Sequence, residues 1–316
     1  MAKVLALRLV RLAATLLAVS FITFMLAASL PGDPINALLP VDAPRDAETI
    51  ARLEEEFNLN EPVLVRYGIW LGDAVRGDLG ESFISDQPVS ETILQRVPIT
   101  AQLAIFAIFL ALVMAVPLGV IGAYRQGRVA DKSTSAVAQV ALSIPNFIVG
   151  IFLIWLLSVQ INIFPSTGWN RLGDGLFDNI KTAILPSFSL ALTQMAIFSR
   201  LLRSDMIATL QENFVLSARS KGLKDRYVLF RHALRPSSLS LITIAGINMG
   251  ALIGGTVVIE QIFALPGLGS RLLNAIYQRD ILMVQGITVF IATVYVVINT
   301  LVDFIYMAID PRIRKR

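Results

Sequence analysis

Few side chains in this sequence could perform bond-making chemistry. The chain of 316 residues has one histidine, His232, and no cysteine, so it cannot supply a thiolate metal site, a histidine cluster or a disulfide. The phosphate-binding pattern G-x-x-x-x-G-K-[ST] is absent, because no glycine is followed by lysine. Asp303, at the inner end of the last apolar run, is the one acidic candidate for a span, which leaves no facing pair of carboxylates. We therefore expect no catalytic residue, no metal site and no nucleotide hydrolysis in this chain.

A second group of candidates is polar but uncharged and interrupts long apolar runs. Polar groups within apolar helices generally face protein or water, and they can hold helices together or contact a solute. The sequence leaves both roles open. The candidate residues for a translocation path are Gln139, Asn146, Gln194 and Asn248.

The most informative segment is basic and runs from residue 200 to 235. Its pattern predicts a short helix, a turn at Gly222 and a second helix, because glycine permits the left-handed conformation that ends a helix. Small residues on the first helix are expected where another surface could approach closely. Binding to anionic lipid headgroups is an alternative role for such a basic segment. The residues singled out are Leu216, Ser217, Ala218, Arg219, Lys221, Gly222, His232 and Leu234.

The composition shows which elements must position these residues. Hydrophobic residues make up 55% of the chain and charged residues 16%, against about 25% charged in soluble domains, and the mean hydropathy is +0.68. A helix needs about 20 apolar residues to cross a bilayer. Six charge-free runs qualify, so the predicted fold is an all-α polytopic membrane protein with six transmembrane helices. The runs cover residues 12–30, 98–124, 133–169, 182–199, 236–259 and 281–302.

The charges between these runs predict the orientation of the chain. One set of connecting segments carries 18 basic and 5 acidic residues, and the opposite set carries 9 basic and 17 acidic residues. The positive-inside rule places the first set, which includes both termini, in the cytoplasm. The run after Lys3, Arg8 and Arg11 could instead be a cleavable signal peptide, but it is longer than the usual core of about 7–15 residues, so we expect a retained span.

This topology divides the chain into three parts. Residues 1–30 form the cytoplasmic start and the first transmembrane helix, and residues 31–97 form an acidic extracytoplasmic cap loop with an amphipathic stretch at 46–57. Residues 98–316 form the core with helices two to six. The basic segment is the inner loop of that core, at about residues 200–236.

The inner loop resembles the coupling-loop signature of bacterial ABC-importer permeases, E-A-A-x3-G-x9-I-x-L-P. The first three positions are Leu216-Ser217-Ala218, the glycine is Gly222, and His232-Ala233-Leu234 stand at I-x-L. The chain departs from the signature at the Glu, the first Ala and the Ile, and its proline is displaced by one place to Pro236. The amino-acid sequence of the loop resembles one branch of these permeases more closely, namely the dipeptide, oligopeptide and nickel permeases.

Further segments resemble the B-type subunit of that branch, in order and over nearly the whole chain. They are residues 30–34 (LPGDP), 59–62 (LNEP), 66–67 (RY), 77–82 (GDLGES), 262–269 (IFALPGLG) and 310–312 (DPR).

The resemblance implies an ABC importer type I permease fold in a bacterial inner membrane, and the role of one half of a transmembrane pair. The implied partners are a second related permease, two ATPase subunits that hold ATP and Mg, an extracytoplasmic substrate-binding protein, a peptide substrate and membrane lipid, with no nucleic acid. The helix around Ser217 to Gly222 would dock into an ATPase subunit, and alternating access would move the solute.

Other functions remain as alternatives. A nickel-chelate or other small-solute importer of the same family is the nearest one, and an exporter assembly is a weaker variant. A self-contained secondary transporter or channel would need internal repeats or a buried ion site, and neither is visible in the sequence. A membrane enzyme would need a catalytic constellation, which the sequence lacks.

Overall fold

The computed structural model describes residues 2–28, 60–82 and 84–309. Within these ranges the chain is almost entirely helical, with one isolated antiparallel bridge between Glu81 and Pro88. The predicted all-α class is therefore confirmed. The amphipathic stretch at 46–57 lies outside the described residues, as does the side chain of Asp303.

The helices follow one another with short connections. They are α1 (Ala2–Ala28), α2 (Val63–Val75), α3 (Val89–Tyr124), α4 (Val129–Ser143), α5 (Asn146–Leu153, continued by a π-helical turn at Ile154–Gln160), a 3-10 turn (Leu172–Asp174), α6 (Leu176–Leu210), α7 (Asn213–Ser220), α8 (Asp225–Gly255, with a π-helical segment at Val228–Leu234), α9 (Val257–Ile262), α10 (Leu268–Gln278) and α11 (Ile281–Ile309).

Four of these helices are long and apolar enough to cross a membrane: α3, α6, α8 and the Ile281–Val302 part of α11. A fifth span results if α4 and α5 with its π turn form one, and α1 contains a shorter apolar stretch, Leu12–Leu26. The described helices thus bear out a polytopic membrane protein. The count of six spans and the orientation of the termini stay predictions.

The third apolar run is not a straight span. The pair Val129–Ser143 and Asn146–Gln160 is bent by 93°, and Ile144 adopts φ −97° and ψ 121° between them. Proline at 145 explains the break, because it lacks an N–H group and pushes the residue before it out of the helical region. Pro186, by contrast, lies inside α6, which continues through it.

The chain forms two compact units, Met1–Ile99 with Gly267–Val296, and Thr100–Pro266 with Val297–Arg316. In the first unit, α3, α10 and α11 share a core of small and aliphatic side chains. Its buried members are Val89, Ile93, Leu268, Ala275, Met283 and Ile287. An aromatic group lies between α1 and α2, where the rings of Phe24 and Tyr67 are 5.6 Å apart.

Helix α6 forms the centre of the second unit. In its most apolar window 72% of the residues are buried, against 22–33% in the other three spanning helices. Gly119 of α3 lies so close to α6 that an added Cβ atom would come within 3.1 Å of Leu202. A side chain at this position would separate α3 from α6.

Candidate functional site

The predicted helix, glycine turn and helix of the inner segment are present. Helix α7 ends at Ser220, and Gly222 follows with φ +74°. The Gly222 N–H donates to the Arg219 carbonyl at 2.9 Å, and the Leu223 N–H donates to the Ala218 carbonyl at 3.3 Å. These two bonds form a Schellman motif, which satisfies the last carbonyls of a helix and favours glycine at the left-handed position. The left-handed backbone conformation at position 222 therefore explains why this residue is glycine.

One face of α7 packs against the start of α8. Val215 and Ala218 are buried together with Val228, and Leu210 packs against them. Ala218 is only 6% exposed, so it cannot be the small residue that an outside surface approaches, as the sequence pattern had indicated. Its small size instead lets α7 lie close to α8.

The opposite face of the loop is open and mixes apolar with basic side chains. Ser217, Arg219 and Lys221 are exposed, and several large apolar side chains stand about half exposed beside them. We call this set the coupling surface: Phe214, Leu216, Ser217, Arg219, Lys221, Tyr227 and Phe230. Beside it lies a recess of about 500 Å³ lined by Lys224, Arg226, Tyr227 and Phe230. Exposed apolar residues rimmed by charge are typical of a protein-docking site.

The second part of the loop is continuous with a long helix. The segment Val228–Leu234 has π-helical geometry and passes into the rest of α8, and such turns are frequent at functional sites. His232 is half-buried, and its ring lies 5.5 Å from the Tyr227 ring in an edge arrangement. Leu234 is half-buried at the end of the π segment. His232 thus supports Tyr227 of the coupling surface from behind.

One polar contact fixes the loop to α3, and a second one fixes α6 to α4. The Tyr124 hydroxyl at the end of α3 donates to Asp225 Oδ2 at 3.1 Å. In α6, Arg203 donates to both carboxylate oxygens of Asp131 in α4, from Nε at 2.5 Å and from Nη2 at 2.8 Å. The Gly127 N–H also donates to Asp131. These bonds join α3 to α8 and α6 to α4, and the Gly127 bond ties the turn between α3 and α4 to the second pair.

The four candidate path residues all lie in the second unit but in different surroundings. Gln139 is exposed, Asn146 begins α5 directly after Pro145, and Asn248 Nδ2 donates to the Ile244 carbonyl of its own helix. Gln194 is buried in α6, and its Oε1 atom has no hydrogen-bond partner among the described residues. Within the described ranges no hydrogen bond joins any two of the four side chains, so their shared role in a path stays a prediction.

Glu260 and Asp280 bound the segment between the last two apolar runs, which the charge count treated as a connecting segment. Both are fully buried. Glu260 Oε1 accepts hydrogen bonds from Thr100 at 2.7 Å and from Thr256 at 2.8 Å. Thr256 directly precedes α9 and Glu260 lies in its first turn, and this spacing was the signal that could have revealed the local half of the network.

Asp280 forms a second buried network in the first unit. Its Oδ2 atom accepts the Ser82 hydroxyl at 2.5 Å and lies 3.3 Å from Nη2 of Arg271. Ser82 ends the GDLGES segment at residues 77–82, so this motif has a structural role in joining that segment to α10. Across the described residues, no group of three or more His, Cys, Asp or Glu side chains could hold a metal ion.

Comparison with known families supports one interpretation of this arrangement. Residues 115–315 match the family described as "Binding-protein-dependent transport system inner membrane component". Residues 1–104 match the corresponding N-terminal family, "Binding-prot-dependent transport system membrane comp, N-term".

Individual relatives cover nearly the whole chain. A putative peptide transport system permease protein of Brucella abortus (strain 2308) is 39% identical over 299 residues, 95% of each chain. The oligopeptide transport system permease protein AppB of Bacillus subtilis is 39% identical over 94% of this chain and 95% of its own. The nickel import system permease protein NikB of Staphylococcus aureus (strain bovine RF122 / ET3-1) is 33% identical over 97% of this chain and 90% of its own.

Solved structures share the fold at low identity. A chain of the inward-facing MetNI methionine ABC transporter aligns with a TM-score of 0.56 and 18% identity, over 69% of this chain and 96% of its own. A chain of an amino acid ABC transporter crystallised with histidines aligns with a TM-score of 0.51 and 13% identity, over 71% of this chain and 94% of its own. The predicted permease fold is thereby confirmed.

Proposed function

The chain belongs to the family of binding-protein-dependent transport system inner membrane components, and from that premise we propose that it carries peptides inward as one membrane subunit of an ABC importer. Permeases of this kind contain no nucleotide site of their own. ATP and Mg would be held by two partner ATPase subunits, and an extracytoplasmic binding protein would deliver the solute. A second, related permease would complete the pathway.

The observation that carries this proposal is the coupling surface. Helix α7 buries Val215 and Ala218 on its inner face. It presents Phe214, Leu216 and Ser217 on its outer face. Apolar side chains on a rigid, capped helix offer an anchor for a groove on another protein. Because α7 packs on α8, movement of the docked helix would be passed to a long apolar helix, which supports alternating access by rigid-body motion.

The choice of peptides as solute rests on the named relatives. Peptide permeases are 39% identical over 95% of the chain, and the nickel permease is 33% identical over 97%. A nickel chelate is therefore the second candidate solute.

Reconstitution of the complete transporter in proteoliposomes tests both the function and the solute. We expect uptake of a labelled tripeptide that requires internal ATP, both ATPase subunits and the binding protein. Uptake by this chain alone, without ATPase subunits, would contradict the proposal and indicate a secondary transporter. Uptake of nickel with a small chelator, together with no uptake of any peptide, would replace the peptide by the nickel chelate.

The orientation in the membrane is part of the same proposal. The coupling surface must face the ATPase subunits, so the loop at 211–224 and both termini lie in the cytoplasm. The excess of basic residues in these segments supports this orientation.

A further inference from the structure

A polar cavity lies between α4 and α6, apart from the coupling surface. It has a volume of about 390 Å³ and is lined by Ser135, Gln139, Arg200, Arg203 and Ser204. Known small-molecule sites enclose about 300–1,000 Å³, so the cavity could hold part of a small solute. All five lining side chains carry hydrogen-bond donors.

The register of both helices brings these donors together. Ser135 and Gln139 are four residues apart on α4, and Arg200 and Ser204 are four residues apart on α6. Residues at this spacing lie one above the other on the same helix face. Helix α4 therefore contributes two donor side chains to the cavity, and α6 contributes three, because Arg203 also lines it.

The two arginines have different surroundings. Arg203 donates from Nε and Nη2 to Asp131, so its charge is balanced and its guanidinium is held in one orientation. Arg200 is exposed, and no ion pair of Arg200 occurs in the described part of the chain. The cavity therefore carries one uncompensated positive charge, that of Arg200. The guanidinium of the neighbouring Arg203 is held in place by Asp131.

We propose that this cavity is an anion site that binds a carboxylate or phosphate group, with Arg200 as the charged ligand and Ser135, Gln139 and Ser204 as neutral donors. Hydrogen bonds between arginine and a carboxylate or phosphate are short, strong and often bidentate. The C-terminal carboxylate of a transported peptide would supply this anion, and in this respect the inference rests on the proposed function. The phosphate of an anionic lipid has the same chemistry.

The test compares trialanine with its C-terminal amide in proteoliposomes that contain the complete transporter. The binding protein can itself prefer the free carboxylate, so the informative quantity is the change in the uptake ratio between wild type and variant. We expect Arg200→Gln to reduce the ratio of carboxylate to amide uptake about tenfold, which corresponds to about 1.4 kcal/mol, and Arg200→Lys to retain part of the preference. Lys132→Gln is the matched control, because Lys132 is an exposed cation of α4 that does not line the cavity.

A second arm distinguishes the two sources of the anion. Vesicles of phosphatidylcholine, with or without phosphatidylglycerol, are used in parallel, and native mass spectrometry counts the anionic lipids that remain bound. Loss of one bound phosphatidylglycerol in Arg200→Gln, with an unchanged peptide ratio, would assign the site to lipid phosphate. An unchanged uptake ratio together with unchanged lipid binding in Arg200→Gln would overturn the anion site. The proposal would also be overturned if the sole effect of Arg200→Gln were loss of the second permease from the purified complex. Absence of peptide uptake by the wild type would reject the proposed solute, and the lipid arm would still test the site.

Discussion

Arg203 and Asp131 form a two-point ion pair between α6 and α4, with 7% of the Asp131 side chain and 31% of the Arg203 side chain exposed. The Gly127 N–H adds a third bond to the same carboxylate. The pair thus anchors the turn between α3 and α4 to the helix that leads into the coupling loop.

Breaking this pair should destabilise the protein. We expect Asp131→Asn or Arg203→Gln to lower the free energy of unfolding by about 3 kcal/mol, because each variant leaves one member of a largely buried pair without its partner. Thermal unfolding of the purified complex in detergent measures the effect. The double variant should lose less than the two single variants combined. Additive losses would show that the two side chains do not interact.

Two substitutions of Gly222 distinguish the effect of side-chain size from the effect of backbone strain. An added Cβ atom has no neighbour within 4 Å, but φ is +74°, so any L-residue there is strained whatever the space around it. We expect Gly222→Ala to reduce stability by about 1 kcal/mol with uptake retained, and Gly222→Trp to uncouple ATP hydrolysis from uptake while the complex still assembles. Paired measurements of ATPase rate and uptake test this. Normal uptake by the Trp variant, or equal uncoupling by Ala and Trp, would argue against docking at this turn.

The exposed apolar side chains of the coupling surface should hold the ATPase subunit. We expect Leu216→Lys to weaken binding of that subunit at least tenfold, because it places a positive charge in an interface that excludes water. Microscale binding measurements with the detergent-solubilised permease provide the affinity. Leu172→Lys is the matched control, since Leu172 is also an exposed leucine but lies in the predicted outer loop. Equal effects of the two substitutions would point to general destabilisation.

The absence of cysteine allows the orientation to be tested directly. We expect a membrane-impermeant maleimide to label Ser85→Cys in intact cells, and to label Ser220→Cys only after the membrane is permeabilised. Both serines are exposed in the structure and the background chain has no cysteine to react. Labelling in the reverse order would invert the proposed topology.

The buried network of Asp280 should be required for stability in the first unit. We expect Arg271→Gln to lower the unfolding temperature of the complex by several degrees, because fully buried Asp280 would lose its ion-pair partner. Arg279→Gln is the control, as Arg279 is exposed and close to the same carboxylate in sequence. Similar unfolding temperatures for the two variants would show that the ion pair of Arg271 with Asp280 does not stabilise the protein.

Local features of the fold were predictable from sequence, and non-local ones were not. The turn at Gly222 was predicted, because it follows from the backbone preference of a single residue. The break at Pro145 has an equally local cause. The burial of Ala218 depends on Val228 packing onto α7. The burial of Glu260 depends on Thr100, which is 160 residues away along the chain. A charge count assigns such a residue to a loop, because it has no information about a hydrogen-bond partner so remote.

The deep burial of α6 also has an evolutionary consequence. A helix that faces lipid on one side can exchange one apolar residue for another along that side with little effect. Most of the central window of α6 is enclosed by other parts of the chain, so it has no comparable stretch where substitutions are free. Divergence among related permeases should therefore accumulate on α3, α8 and α11, while α6 changes slowly and mainly by paired substitutions with its neighbours.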